Sequence, residues 1–189
     1  MSSKNNDLED KANTVNVYLQ EINDKINAKE VENTAKLLLR IPYNLIRPAS
    51  SFRARLSFIK DTTIKKNIAY YLILSDFLRW IITRTSVYGT LKEMIIKFQI
   101  VNIAAIVETM TVVATSRSIS FKKRVQRMLE NKVITTDTER ELIWLWDYRS
   151  GIHLYVMNAP EYGKYDISDY NRAILTARKL LADMERFYT

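Results

Sequence analysis

The sequence predicts an all-α protein: a multi-helix bundle with two long central apolar helices and an N-terminal helical arm. Three observations predict it. The 189 residues include only 3 Gly and 3 Pro, whereas an all-β domain of this size needs many Gly- and Pro-rich turns. Leu8, Ala12, Val15, Leu19, Ile22 and Ile26 alternate spacings of four and three, the period of a helix face. Two later stretches, Ile64 to Ile82 and Ile95 to Ala114, are apolar most of the way round, as the inner helices of a bundle are.

Residues 1–41 form the predicted arm. Its seam is a short heptad pattern that stops at Ile26, because the next seam positions are Lys29 and Asn33. Such a seam packs on the domain or across a dimer. A second stripe at Val31, Ala35 and Leu38 ends near Pro42. Residues 42–60 read as a basic connection with little regular structure. Pro42 and Pro48 bracket Tyr43 to Arg47, and Ser50-Ser51 follow. From 40 to 66 the chain carries Arg40, Arg47, Arg53, Arg55, Lys60, Lys65 and Lys66 against Asp61 alone. That is either a solvated charged face or a phosphate-contacting patch.

Residues 61–189 form the predicted bundle. Asp61-Thr62-Thr63 starts a helix running to about Ser86. Tyr88-Gly89-Thr90 breaks the chain, and Thr90 is the expected cap of a helix running to about Thr115. After Ser116-Arg117-Ser118 a short helix follows, crowded with Lys122, Lys123, Arg124 and Arg127 and closed by Asn131-Lys132. These four cations are the candidate nucleic-acid-binding patch. Thr135-Thr136-Asp137 opens the next helix, expected to reach about Met157, with Asp137 and Arg140 supporting its first turn. Asn158-Ala159-Pro160 ends it, and Ser168-Asp169 begins the last helix, to about Phe187.

Composition narrows the chemistry. Without Cys and with one His, disulfides, Cys-based zinc sites and dense metal-ligand clusters are excluded, so no metal or cofactor is expected. The polar start lacks an apolar signal region. Asp76 and Arg79 in one apolar stretch, and Gln99, Asn102 and Glu108 in the other, would be costly in lipid. A cytoplasmic protein with no membrane partner is therefore expected. The net charge of +8 favours an anionic partner.

The chemistry concentrates at Arg149 and His153, with three residues between them. On a helix this spacing puts both on one face, with Cβ atoms about 5–6 Å apart. They interrupt an apolar stripe formed by Leu142, Trp146 and Val156. A half-buried Arg needs a carboxylate, carbonyl or phosphate partner. Asp76 and Glu108 are the candidate carboxylates, and pairing with either would make Arg149 structural. His153 beside a guanidinium stays neutral near pH 7 and can act as a base. Phosphodiester cleavage by hydroxyl attack wants both a base and an acid, and one His per chain supplies one group. A catalytic reading therefore expects a homodimer. Trp144, Trp146, Tyr148 and Tyr155 could stack on bases, but their all-round placement on one helix reads first as core.

The stretch Asp147-Tyr148-Arg149-Ser150-Gly151-Ile152-His153-Leu154-Tyr155 resembles the Arg…His motif of HEPN domains, the higher eukaryote and prokaryote nucleotide-binding helical bundles. Asn131 to Thr135, Tyr170 to Ile174 and Ala104 to Glu108 are also similar to that family, so the resemblance covers roughly residues 60–188. It implies metal-independent RNA cleavage by a symmetric dimer, as a toxin or defence component. Arg149 would bind the scissile phosphate and His153 would serve as acid or base, with Ser150, Asp147 and Tyr155 in support. Tyr155 holds the place of a tyrosine that a partner nucleotidyltransferase modifies in some toxin members, which implies an antitoxin or other protein partner. The family's commoner spacing is four to six residues between Arg and His, and the residue after Arg is often Asn, Asp or His. The three-residue gap and Ser150 therefore also fit a non-catalytic member, binding RNA, nucleotides or proteins around a structural Arg149/His153 pair.

Overall fold

The computed structural model describes residues 2–28, 45–152 and 162–188. Among them are seven helices and no strand: α1 (Ser2–Asn27), α2 (Ala49–Arg55), α3 (Thr62–Arg84), α4 (Gly89–Ala114), α5 (Phe121–Glu130), α6 (Thr136–Ser150) and α7 (Ile167–Tyr188). The chain divides into two compact units, Met1–Pro42 and Tyr43–Thr189. In the first unit α1 is a single helix of 26 residues. Its seam residues Leu8, Val15, Leu19, Ile22 and Ile26 are all exposed. The stripe at Val31, Ala35 and Leu38 lies outside the described residues.

The second unit is an all-α bundle. Helix α4 packs against α3, α5, α6 and α7, and α2 packs on α3. The reason lies in α4's composition: Ile96, Ile100, Ile103, Ile106, Val107 and Met110 are all buried. Their core partners include Leu142 and Leu145 of α6 and Leu180 and Met184 of α7. Removing a Leu side chain from such a site typically costs about 2–5 kcal/mol. Among the described residues α4 is the one helix long and apolar enough to cross a membrane, and 61% of its apolar window is buried inside the bundle. Gln99 and Asn102 are buried there too. Gln99 Nε2 donates to the Ser75 carbonyl at 3.0 Å and to Ser75 Oγ at 2.7 Å, and Asn102 Nδ2 donates to the Tyr71 carbonyl at 2.9 Å. Helix α3 is more open than its composition predicts, with Tyr70, Tyr71 and Leu74 exposed.

Local signals set most boundaries. Asp61 caps α3, accepting from the backbone N–H of Thr63 at 2.8 Å and Ile64 at 3.0 Å. Thr135 caps α6 by accepting from Thr138 N at 3.2 Å. Helix α4 departs from expectation. It starts at Gly89, and Tyr88, not Thr90, is the N-cap, without a side-chain hydrogen bond. Gly89 has φ +59°, which a residue with a side chain adopts only at a cost. Helix α7 begins at Ile167, because Asp166 accepts from Ser168 N at 2.6 Å and Asp169 N at 3.1 Å. A bond from the Ser168 hydroxyl, and then those two backbone bonds, hold the Asp166 carboxyl below its usual range.

The expected irregular connection at 42–60 is corrected. Helix α2 runs through it, with Pro48 as N-cap. Phe52, Leu56 and Ile59 are 3%, 1% and 0% exposed, so this segment is part of the core. Proline before a first turn does not oppose a helix, since the N–H it lacks has no partner inside that turn.

Helix α5 ends in a Schellman motif. Val133 N donates to Met128 O at 2.8 Å and Lys132 N to Leu129 O at 2.9 Å. Val133 and Met128 are both buried, supplying the apolar contact that accompanies such an ending. The left-handed position is held by Lys132, at φ 58°. A non-Gly residue there costs roughly 1–2 kcal/mol, partly offset by the greater freedom glycine has when unfolded. Lys132→Gly is therefore expected to raise unfolding free energy by about 0.5–1 kcal/mol. Urea denaturation reads this directly, and a destabilised variant would show that the lysine side chain has a packing role.

Candidate functional site

The residues singled out in the sequence divide into three groups. Arg149, Ser150 and Asp147 lie in the last turn of α6. His153 and Tyr155 lie outside the described residues. Asp76, Glu108 and Arg124 belong to internal networks.

The end of α6 differs from expectation. The helix stops at Ser150 rather than near Met157, and Gly151 is its C-cap. Gly151 N donates to Asp147 O and Tyr148 O, both at 3.2 Å, and Ile152 N donates to Arg149 O at 3.2 Å. The chain thus tightens into a turn at Gly151-Ile152. Helix α6 carries Arg149 and ends before position 153, and the expected course from there to Met157 lies outside the described residues. Glycine gives up more freedom than any other residue on entering a helix, which favours an ending here. Ser150 Oγ donates back to Trp146 O at 2.8 Å, so this hydroxyl serves its own helix.

Arg149 is half-buried, and its guanidinium carbon lies 5.3 Å from the Trp146 ring centroid. Trp146 in turn stacks on Phe121 of α5, with centroids 4.4 Å apart and planes at 8°. The start of α5 therefore lies against the end of α6. Lys122 Nζ meets Asp147 Oδ1 at 2.9 Å across the same junction, with both side chains 57% exposed. An exposed pair of this kind contributes at most about 1 kcal/mol. Lys123 and Arg127 are exposed one turn apart on α5. A cleft of about 570 Å³ opens beside the end of α6, lined by Asp147, Tyr148, Gly151, Ile152, Lys164 and Tyr165.

The carboxylates expected to neutralise Arg149 are engaged elsewhere. Asp76 takes both Arg47 Nε at 2.8 Å and Arg47 Nη2 at 2.7 Å. This fork raises the Arg47 guanidinium further above its ordinary value. Glu108 Oε1 lies 3.5 Å from Arg124 Nη2. Among the described residues, no carboxylate pairs with Arg149.

Arg124 is corrected as a member of the surface patch. It is 5% exposed. Its Nε donates to Thr111 Oγ1 at 3.0 Å and its Nη1 to Ile119 O at 2.7 Å. Its stem shares the buried face of α5 with Phe121, Val125 and Met128. All the donors thus point inward, leaving Lys122, Lys123 and Arg127 as the exposed cations of this patch.

The aromatic residues of α6 pack against the core. Trp144 and Tyr148 lie 5.3 Å apart, and Arg172 of α7 sits 4.0 Å over Trp144. The Tyr148 hydroxyl donates to Asp169 Oδ2 at 2.7 Å. Burial, and then that bond, push the phenol well above its ordinary range, so it stays a donor at any physiological pH. Two anchors had no sequence signal. Glu141, paired with Arg172 Nε at 2.8 Å, has its carboxyl held below the usual range by that bond. Asp183 of α7 accepts from Thr135 N at 3.3 Å and Thr138 Oγ1 at 2.6 Å, tying down the start of α6.

No group of three or more His, Cys, Asp or Glu side chains among the described residues is arranged to hold a metal ion. No protein-family model matches the chain, and no curated protein or solved structure gives a significant match to it.

Proposed function

We propose that this protein is an RNA-binding helical bundle and a metal-independent endoribonuclease of the HEPN type. Arg149 binds the scissile phosphate and His153 moves the proton, in a cleft completed by a second copy of the chain. The observation that carries the reading is the state of Arg149. It is a half-buried guanidinium resting on Trp146, and the two carboxylates expected to neutralise it pair instead with Arg47 and Arg124. An arginine so placed suits a phosphate, which it meets in a two-pronged geometry that lysine does not offer. The last carbonyls of α6 carry partial negative charge. A phosphate there needs the full positive charge of Arg149.

A dimer follows from the chemistry. A 2′-hydroxyl attack needs one group to accept a proton and one to protonate the leaving oxygen, and each chain holds one His. Two facing chains supply both. A toxin or defence role, with an antitoxin or similar protein partner, rests on the sequence resemblance alone.

A second reading has its own observation. Helix α6 ends at Ser150 in a turn at Gly151-Ile152, which leaves Arg149 in the last turn of the helix. In that reading the bundle binds RNA without cutting it. The two readings share the binding surface. Replacing Lys122, Lys123 and Arg127 together by Gln is expected to weaken binding of single-stranded RNA. It should also lower the slope of log affinity against log salt by about 2. An unchanged slope would show these cations to be solvated surface. Cleavage then separates the readings: RNA cut by the wild-type chain in EDTA favours the nuclease, and tight binding without cutting favours the module.

A further inference from the structure

On another side of the Tyr43–Thr189 unit, α2, α3, α4 and α7 surround a second cleft, with about 820 Å³ of empty space. Its floor is apolar: Leu56 just after α2, Leu72 from α3, Ile106 and Met110 from α4, and Ile174 and Leu181 from α7. Its rim is cationic. Arg47, Arg55, Arg79 and Arg178 all line it, from four different segments of the chain. The one carboxylate among the lining residues, Asp76, is spent on Arg47. Arg55, Arg79 and Arg178 make no ion pair among the described residues, so no described carboxylate balances these three charges. The charges of Arg79 and Arg178 are both felt by the buried Tyr170 phenol, where they oppose the rise that burial produces. Arg79 of α3 and Arg178 of α7 both line the cleft.

Apolar floors and cationic rims make opposite demands. Bare phosphate or an RNA backbone would satisfy the arginines and leave the floor wet. A neutral apolar molecule would fill the floor and leave the like charges facing one another. Both demands are met by a molecule with an anionic head and an apolar body. We infer that this cleft binds an anionic amphiphile, its carboxylate or phosphate head held by Arg55, Arg79 and Arg178 and its hydrocarbon tail lying on Leu72, Ile106 and Leu181. The inference stands apart from the RNA reading, since it uses neither α6 nor its cations.

The test is calorimetric titration of the full chain below the micelle-forming concentration, using decanoate and decyl phosphate. Octanoate, decanol and inorganic phosphate serve as partial ligands. Decanoate or decyl phosphate should bind, and whichever binds more tightly identifies the head group. Each methylene buried is expected to tighten binding roughly fourfold, so octanoate should bind roughly tenfold or more weakly than decanoate. Decanol and inorganic phosphate should each bind at least tenfold more weakly than the better amphiphile. Exchange of Arg55, Arg79 and Arg178 for Gln should weaken the amphiphile at least tenfold with unchanged thermal unfolding, because all three side chains are exposed. Ala177→Phe, which adds bulk to the cleft wall, should do the same without altering charge. Several results would overturn the inference: no binding of either amphiphile, affinity independent of chain length, inorganic phosphate binding as tightly as decyl phosphate, or full binding by the arginine variant.

Discussion

An Arg124→Met protein is expected to unfold with about 3 kcal/mol less free energy than the wild type. Methionine replaces much of the stem's volume but none of its donors. The Ile119 carbonyl and Thr111 hydroxyl, which accept from Arg124 at 2.7 Å and 3.0 Å, lose the partner that folding gave them. Each buried polar group abandoned in this way costs about 1–3 kcal/mol. Glu108 loses its countercharge as well, but its side chain is 36% exposed, so water offsets part of that loss. The neighbouring substitution Lys123→Met, at an exposed position, should change stability by no more than about 0.5 kcal/mol. Urea denaturation of the two variants makes the comparison. Equal stabilities would mean that Arg124 is a surface cation after all, free to meet RNA.

Arg149→Met is expected to show the reverse pattern: at least a hundredfold loss of RNA cleavage with little loss of stability. Its contact among the described residues is the Trp146 ring, and a cation over an aromatic ring at a partly exposed site contributes about 0.5–1 kcal/mol. On the reacting phosphate the same guanidinium stabilises charge that develops in the transition state. Removing one such donor from an active site typically costs about 10²–10³ in rate. Arg149→Lys should recover only a fraction, because an ammonium lacks the fork that grips two phosphate oxygens. Stability measured beside activity matters here. A variant that lost both together would return Arg149 to a structural role.

The two arginines show what was legible in the sequence. Arg124 sits among cations and Arg149 in an apolar run, yet only Arg149 is exposed enough to meet a ligand. Arg124 shares a helix face with Phe121, Val125 and Met128, all buried, so its inward direction was readable from spacing. The crowd of cations around it obscured that signal. Asp76 and Glu108 stood out in the sequence as carboxylates inside apolar helices, in need of partners. Which arginine each would meet was not readable, because the Arg47–Asp76 pair spans 29 residues and depends on how α2 lies on α3. Asp183 is the extreme case, capping a helix whose start is 48 residues away.

Local chemistry was read more faithfully. The caps at Asp61 and Thr135 depend on residues two or three places away, and both helices begin where those residues predict. Two elements were misread most widely, for opposite reasons. Prolines and serines around α2 look like a loop, yet Phe52, Leu56 and Ile59 carry the spacing of a buried face. The apolar run through α6 reads as one long helix, yet the chain turns at Gly151. That turn bears directly on function, since it leaves Arg149 in the last turn of α6.

The most direct test is therefore made on His153. Purified wild-type protein and His153→Ala are incubated with single-stranded RNA in EDTA, and cleavage is followed over time. The expected result is metal-independent cleavage by the wild type, reduced at least a hundredfold in the variant, which is the usual scale for removing a general acid or base. RNA binding by the two should be equal. Cleavage that persists undiminished in His153→Ala, or that appears only when a divalent metal is added, would contradict the proposed chemistry.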